Sequence, residues 1–484
     1  MTTYSDLYLF IDGERIQGGG RREIPVMNPS TEEVLGHVPA ASQDDLERAL
    51  AAAQRGFEVW RKVSAYERAK ILRRAAELLR ERKEEIAHLM TLEQGKTLPE
   101  SRMEVGNLPD ILDWDADEGR RIYGRIIPSR AAGQRQLVVR EPIGPVATFT
   151  PWNYPGLIPL RKVSSVLAAG CSCIIKPAEE TAATTLAVLQ VFEEAGLPPG
   201  VLNIVFGVPD EISTYLIASP IIRAVSFTGS TSVGKHLSEM AARGIKKCVM
   251  ELGGHAPCIV FDDVRDPYKI AEGAALRKYR NGGQGCVNPS RYFVHEAIFD
   301  QFVNRFTEVA ANIVVGDGFA AGSKMGPLAH ARRLDAMQEI ADDSRTHGAH
   351  IVAGGKRVGK RGYFWEPTVV THAPNEALLM REEPFGPAVV INPFSTFEEA
   401  VSQANNTVYG LSAYAFTESG SRAIAIADAL EVGMVGINTY ALGAPDAIGA
   451  PETPFGGVKE SGYGSEGGTE GLLEYMTVKL ISQF

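Results

Sequence analysis

Residues 145–155 read PVATFTPWNYP, an apolar run that stops at a proline and an asparagine turn. The run 146–150 is the first of five; the others are 173–176, 202–206, 224–228 and 248–252. Helical patterns such as 181–195 and 231–242 separate them. Short strand-like runs alternating with helices predict an α/β fold, a doubly wound five-stranded parallel sheet. The ligand site of such a sheet lies beyond the carboxyl ends of its strands. Polar residues and glycines gather at those ends: Pro151, Trp152 and Asn153; Lys176 through Glu179; Gly229, Ser230 and Thr231; Glu251 through Gly254.

Upstream, residues 1–30 read as short strands and turns, and Ser42 opens an amphipathic helix. Ser64 and Glu67 have the spacing of a capping box, whose helix is expected to end near Gly95. More helix follows to about Gly119. Then 121–130 and 134–141 are β-prone runs that predict a hairpin. Exposed strand edges invite pairing, so intersubunit contact is expected there, and the run 476–484 is suited to join it. Downstream of Ala256 a second α/β segment is expected, with a strand at 259–261, a helix over 271–280 and a strand at 291–295. It extends to about Pro445 without repeats or a low-complexity linker.

The chain has 484 residues, 44% of them hydrophobic and 22% charged, enough for two or three domains with sizeable cores. Its formal net charge of −10, without a basic patch, argues against nucleic acid as a partner. No basic leader or long apolar window occurs, which predicts a cytoplasmic protein with no membrane partner. The 5 cysteines form no disulfide framework and no metal cluster is evident. Cys171, Cys173, Cys248 and Cys258 lie in apolar runs and read as core. Cys286 lies instead in 281–288, NGGQGCVN, a loop with few side chains. Glycines there suit presentation of a thiolate with clearance for ligands.

Several residues carry two readings. Residues 462–467, GYGSEG, match a dinucleotide fingerprint but follow no strand, and too little chain remains for a βαβ unit. Gly229 and Ser230 sit better, at a strand-to-helix turn suited to a pyrophosphate. Lys176 and Glu179 read either as ribose contacts or as a solvated helix-start pair. Glu251 reads as a general base or a structural carboxylate, and Asn153 as an oxyanion donor or a turn residue.

Together these stretches resemble the aldehyde dehydrogenase superfamily. The matching pieces are TPWNYP (150–155), IIKPAEET (174–181), FTGSTSVG (227–234), ELGGHAP (251–257), NGGQGC (281–286), EEPFGP (382–387) and PFGGVKESGYG (454–464). The resemblance implies that Cys286 attacks the aldehyde to form a thiohemiacetal. It implies Asn153, with the Cys286 backbone N–H, as the oxyanion hole. Hydride transfer to the nicotinamide leaves a thioester, and Glu251 activates the water that hydrolyses it. It further implies Thr150, Pro151, Trp152, Lys176, Glu179, Gly229, Ser230, Leu252, Glu383 and Phe385 as cofactor contacts. Glu179 favours NAD over NADP. The implied domains are 1–122 with 141–253 for NAD binding, 254–448 for catalysis, and 123–140 with 449–484 for oligomerisation. The implied assembly is a homodimer or homotetramer.

Arg161 and Arg280 resemble the positions that bind the distal carboxylate in succinate-semialdehyde dehydrogenases; alternatively they are scaffold ion pairs. A serine often found before the PFGG motif is not evident in 449–453, GAPET, which resembles the 2-oxoglutarate-semialdehyde (2,5-dioxovalerate) dehydrogenases instead. Asn288 stands where some relatives carry a second, regulatory cysteine. The expected substrate is therefore a short ω-carboxylate semialdehyde. The alternatives are a broad aliphatic or aromatic aldehyde dehydrogenase, or a non-catalytic NAD-binding protein on the same fold.

Overall fold

The computed structural model describes residues 4–442 and 450–484. Its largest sheet contains the predicted strands as Val146–Phe149, Cys173–Lys176, Leu202–Ile204, Ala224–Thr228 and Lys247–Glu251, each paired in parallel with its neighbours. Val146–Phe149 is central, flanked by Cys173–Lys176 on one side and Ala224–Thr228 on the other. The winding reverses there, which opens a crevice beyond Phe149 and Thr228. Three short antiparallel strands widen the sheet to eight. Leu9–Ile11 and Glu14–Ile16 extend one edge, and Gly462–Tyr463 extends the other. Runs of two or three residues carry no readable period, so the sequence predicts only the five core strands.

The strand Gly462–Tyr463 disposes of the apparent fingerprint. Gly462 lies opposite Glu251 with φ of +120°, and a β-carbon there would stand 1.8 Å from the Met250 carbonyl oxygen. Close backbone approach, not a pyrophosphate, is what this glycine serves. Gly462→Ala is expected to cost about 2 kcal/mol or more, read as a lower calorimetric midpoint; an unchanged midpoint contradicts this edge pairing.

Helices cover the sheet, and their ends follow capping chemistry. Ser42 and Asp45 form a complete capping box for Gln43–Trp60, as do Thr97 and Glu100 for Leu98–Glu118. The box expected at Ser64 is only half made. Ser64 Oγ accepts from Glu67 N at 3.2 Å, but the Glu67 carboxylate turns to Lys70 at 2.7 Å. The helix expected to run on to Gly95 breaks at Arg82 into Ala65–Glu81 and Lys83–Gln94; Gly95, at φ of +90°, caps the second piece.

A second sheet of seven strands contains Pro257–Val260, Arg291–His295, Ala388–Phe394, Thr368–Thr371, Ser412–Phe416 and Met434–Ile437 in parallel pairings, with His350–Ala353 antiparallel at one edge. The helix expected over 271–280 is Pro267–Lys278. Asp266 caps its start, and it stops before Asn281, whose φ is +52°. The third sheet joins the hairpin strands Arg125–Ile127 and Arg135–Pro142 to Met476–Gln483, all antiparallel. Among the described residues no helix is long and apolar enough to cross a membrane.

Candidate active site

The cysteine loop begins with three left-handed residues, Asn281, Gly282 and Gly283. A β-carbon on Gly283 would lie 2.2 Å from the Gly386 carbonyl oxygen, and one on Gly254 would lie 2.2 Å from the Cys286 carbonyl oxygen. The space these glycines leave is thus filled by protein backbone. Segments 251–257 and 382–387 clamp the loop from two sides and fix where Cys286 stands. That differs from glycines that simply clear room for ligands.

Cys286 keeps part of its surface exposed, yet desolvation pushes its thiol well above the usual range, with Glu383 and Glu251 adding to the effect. In this state the sulfur holds its proton. Glu251 ends a central strand, is 2% exposed, and neither carboxylate oxygen has a hydrogen-bond partner. Burial and the nearby Glu466 raise its pKa, while Lys162 and Arg161 oppose them. Glu466 belongs to the discarded GYGSEG run and pairs with the buried Lys162. A buried carboxylate that favours its neutral form is suited to receive a proton from water.

Asn153 lies in the turn between Phe149 and the helix Leu157–Ala169 and is 2% exposed. Its Nδ2 donates to the Gln284 carbonyl at 3.1 Å, in the cysteine loop itself. One of its two amide N–H groups therefore remains available. Its own carbonyl accepts from Lys96 Nζ at 2.8 Å and Asn281 Nδ2 at 2.9 Å. Gln284 is pinned in turn, donating to Asn281 O at 3.0 Å and accepting from Ala329 N at 2.9 Å. Nothing in the local sequence around Lys96 or Gln284 signals these roles. A lysine after a helix cap reads as solvated.

Arg161, in the helix that follows the Asn153 turn, is 5% exposed, so it is not a surface residue. Its guanidinium lies 5.5 Å from the Phe455 ring centroid. Burial lowers its pKa, and Glu466, Asp115, Glu251 and Cys286 oppose that, so it lies within electrostatic reach of Glu251 and the thiol. Arg280 is half-buried and, with Arg277, Lys96, Met103, Asn107, Tyr154 and Leu157, lines a cavity.

The candidate cofactor residues gather partnerless polar groups and free backbone N–H groups near the carboxyl ends of the strands. Thr150 Oγ1 and Thr228 Oγ1 are buried without partners at the ends of the two central strands. Ser230 makes no side-chain capping bond to the helix Thr231–Arg243, so that helix offers free N–H groups beside Gly229. Glu179 pairs with Lys176 at 2.6 Å and accepts from Gly207 N at 3.1 Å. Leu252 is buried, its N–H bonded to Ser461 O at 3.0 Å. Pro151 leads into Trp152, whose ring meets His330 and Phe385 edge-on at 5.1 and 5.5 Å. Phe385 adopts a strained φ of +39°. Glu383 accepts from Gly254 N at 3.1 Å, and burial pushes its pKa up to about 8. Unsatisfied threonines, free helix N–H groups and a carboxylate held beside a lysine fit the phosphates and ribose of a dinucleotide. His330 and Arg333, which packs 6.0 Å from the Phe385 centroid, join this wall without a sequence signal.

The model of the aldehyde dehydrogenase family matches residues 16–481. The chain is 46% identical to a 4-(hydroxymethyl)benzenesulfonate dehydrogenase of Comamonas testosteroni, covering 98% of this chain and 97% of that one. It is 39% identical to the NADP(+) succinate-semialdehyde dehydrogenase of Escherichia coli K12, covering 97% and 96%. A crystal structure of succinate-semialdehyde dehydrogenase from Burkholderia pseudomallei superposes with a TM-score of 0.96 at 40% identity, covering 100% of this chain and 99% of that one. The chain belongs to the aldehyde dehydrogenase family and is an NAD(P)-dependent oxidoreductase of aldehydes.

Proposed function

We propose that this enzyme oxidises an aldehyde with an anionic tail, a short ω-carboxylate semialdehyde, to the free acid with NAD. The observation that carries this reading is Arg161: a guanidinium 5% exposed, in the electrostatic neighbourhood of both Cys286 and Glu251. A guanidinium presents a planar pair of donors, which suits bidentate binding of a substrate carboxylate. Arg280, which lines a cavity with Met103 and Leu157, is the second guanidinium of this reading.

The chemistry assigned to the chain's own residues runs from the thiol outward. Cys286, part of whose surface is exposed, releases its proton to solvent; its sulfur then bonds the carbonyl carbon and the C=O π pair moves to the oxygen, giving the thiohemiacetal oxyanion. The free N–H of Asn153 Nδ2 and the Cys286 backbone N–H stabilise the oxyanion, in a site whose donors are already fixed. When bound, the oxidised nicotinamide supplies the acceptor for the hydride that leaves this carbon. Glu251 takes the proton of the water that attacks the resulting thioester, and the acid departs from Cys286. A CoA-dependent release is disfavoured because Glu251 provides the hydrolytic base.

The residues that would hold the cofactor are Thr150, Pro151, Trp152, Lys176, Glu179, Gly229, Ser230, Leu252, Glu383 and Phe385. Glu179, paired with Lys176, suits ribose hydroxyls and repels a 2′-phosphate, which supports NAD over NADP. The apolar residues Tyr123, Ile126, Val478, Leu480 and Phe484, exposed in and beside the third sheet, support a homodimer or homotetramer. The partition of the chain into two sheet-centred domains and an oligomerisation arm remains part of this proposal; its boundary at 448 and 449 lies outside the described residues.

A second reading follows from the 46% identical benzenesulfonate relative: a sulfonate offers the same guanidinium pair an oxyanion on an aromatic tail. The test is a panel of succinate semialdehyde, 2-oxoglutarate semialdehyde, 4-sulfobenzaldehyde, hexanal and benzaldehyde, each with NAD and with NADP. Anionic aldehydes are expected to lead in kcat/KM by at least about tenfold over neutral ones, and Arg161→Ala to remove that lead, a loss of roughly 2 kcal/mol. An unchanged kcat/KM for semialdehydes in Arg161→Ala sinks the anionic-tail reading.

A further inference from the structure

Lys96 and Glu104 form an ion pair of 2.5 Å with side chains 1% and 2% exposed. Such pairs contribute little to stability compared with apolar packing of the same volume, so stability is a weak reason for one here. Its contacts point elsewhere. Lys96 Nζ donates to Glu104 and to Asn153 O at 2.8 Å, and stands 4.4 Å over the Tyr154 ring. Glu104 Oε1 accepts from Gly156 N at 3.0 Å and Leu157 N at 3.1 Å. The lysine thus grips the first half of the turn 153–157 and the glutamate the second half.

The anchoring continues across the cysteine loop. Asn281 donates to the same Asn153 carbonyl and takes Gln94 Nε2 on its own Oδ1 at 2.9 Å. Its backbone N–H goes to Glu100 at 2.8 Å. With the main chain of Asn153 held by Lys96 and one side-chain N–H held by Gln284 O, the direction of the second N–H is determined.

We propose that Lys96, with Glu104, is a positioning group that aligns the Asn153 amide with the carbonyl attacked by Cys286. This rests on the assignment of Asn153 as oxyanion donor. Neither residue touches the reacting atoms in this scheme; both act through the Asn153 turn.

The test separates oxyanion chemistry from thiol reactivity. Acylation by 4-nitrophenyl acetate develops an oxyanion at Cys286 and releases 4-nitrophenol without cofactor. Alkylation by iodoacetamide consumes the same thiol with no oxyanion. The double variant K96M/E104Q removes both charges, leaving neither buried alone. Ester acylation and aldehyde kcat are expected to fall about tenfold to a hundredfold, while iodoacetamide alkylation and aldehyde KM stay within about twofold. Added to N153A, the double variant is expected to produce no further loss in acylation. Equal losses in acylation and alkylation, or full additivity with N153A, overturn the inference. An unimpaired K96M/E104Q beside a defective N153A overturns it and leaves the function standing; an unimpaired N153A overturns the oxyanion assignment beneath it. If K96M/E104Q is not folded by circular dichroism, Lys96→Arg carries the same test. It keeps the charge against Glu104 but moves the donor off Asn153 O, and the same split between acylation and alkylation is required.

Discussion

Cys286→Ser is expected to abolish NADH formation, with kcat reduced by a factor on the order of 10⁴ or more. The size of the effect follows from the surroundings of the sulfur. Desolvation, then Glu383 and Glu251, already disfavour the thiolate. A serine hydroxyl, several units less acidic still, has no cation within the loop to help it ionise. No base is placed to make it a nucleophile except Glu251, which the water step requires. The fold is expected to tolerate the change, because the loop is held by backbone contacts of Gly283 and Gly254 and not by the side chain of residue 286. NADH absorbance with the best aldehyde of the panel measures it. Residual kcat above about a tenth of the parent value contradicts the assignment of the nucleophile.

Glu251→Gln is expected to split the reaction. Steady-state kcat falls about 10² to 10³-fold, the range of a lost general base. A first burst of about one NADH per subunit survives, since Cys286 and Asn153 are intact. The stalled thioester is then visible as added acyl mass on Cys286 and is released by hydroxylamine. The pH dependence has a definite sign. Burial and Glu466 raise the Glu251 pKa, so the proton stays on to higher pH than for an ordinary carboxylate. The base form exists only above that raised value. Parent kcat therefore climbs as pH rises through it, and Glu251→Gln loses this limb of the profile. An undiminished kcat, or a profile that keeps the limb, removes Glu251 from the hydrolytic step.

Much of this architecture was legible locally. The mainly apolar runs at 146–150 and 224–228 locate the two central strands because a strand buried on both faces is mostly apolar and admits only small polar side chains such as Thr148 and Ser226. Turn chemistry then marks where they end, at Pro151 and Gly229. Capping was legible only in part. Thr97 and Glu100 complete a box that was not singled out, whereas Ser64 and Glu67 match the pattern and make half of one. An exposed glutamate has a lysine partner at nearly equal energy, so sequence spacing alone does not choose.

The sequence by itself determined the family and the parallel core, and it put forward Cys286, Glu251, Asn153 and Arg161 as the candidates on which the proposed function is built. Cys286 lies inside a glycine-rich loop and Glu251 and Asn153 lie at or just past strand ends, where short-range pattern exposes a candidate; Arg161, inside the helix Leu157–Ala169, is put forward by the resemblance alone. Only the tertiary structure decided what surrounds them. Lys96 meets the Asn153 carbonyl across 57 positions, and Lys162 meets Glu466 across 304. Whether a lysine is a solvated surface charge or a buried donor depends on a partner that no local period encodes. The same holds for GYGSEG: its glycines look like a phosphate turn, yet packing puts Gly462 against Met250 and Glu466 beside the base. Contacts of that range are made by the fold as a whole, because desolvation and pairing are settled only when distant segments close around the same point.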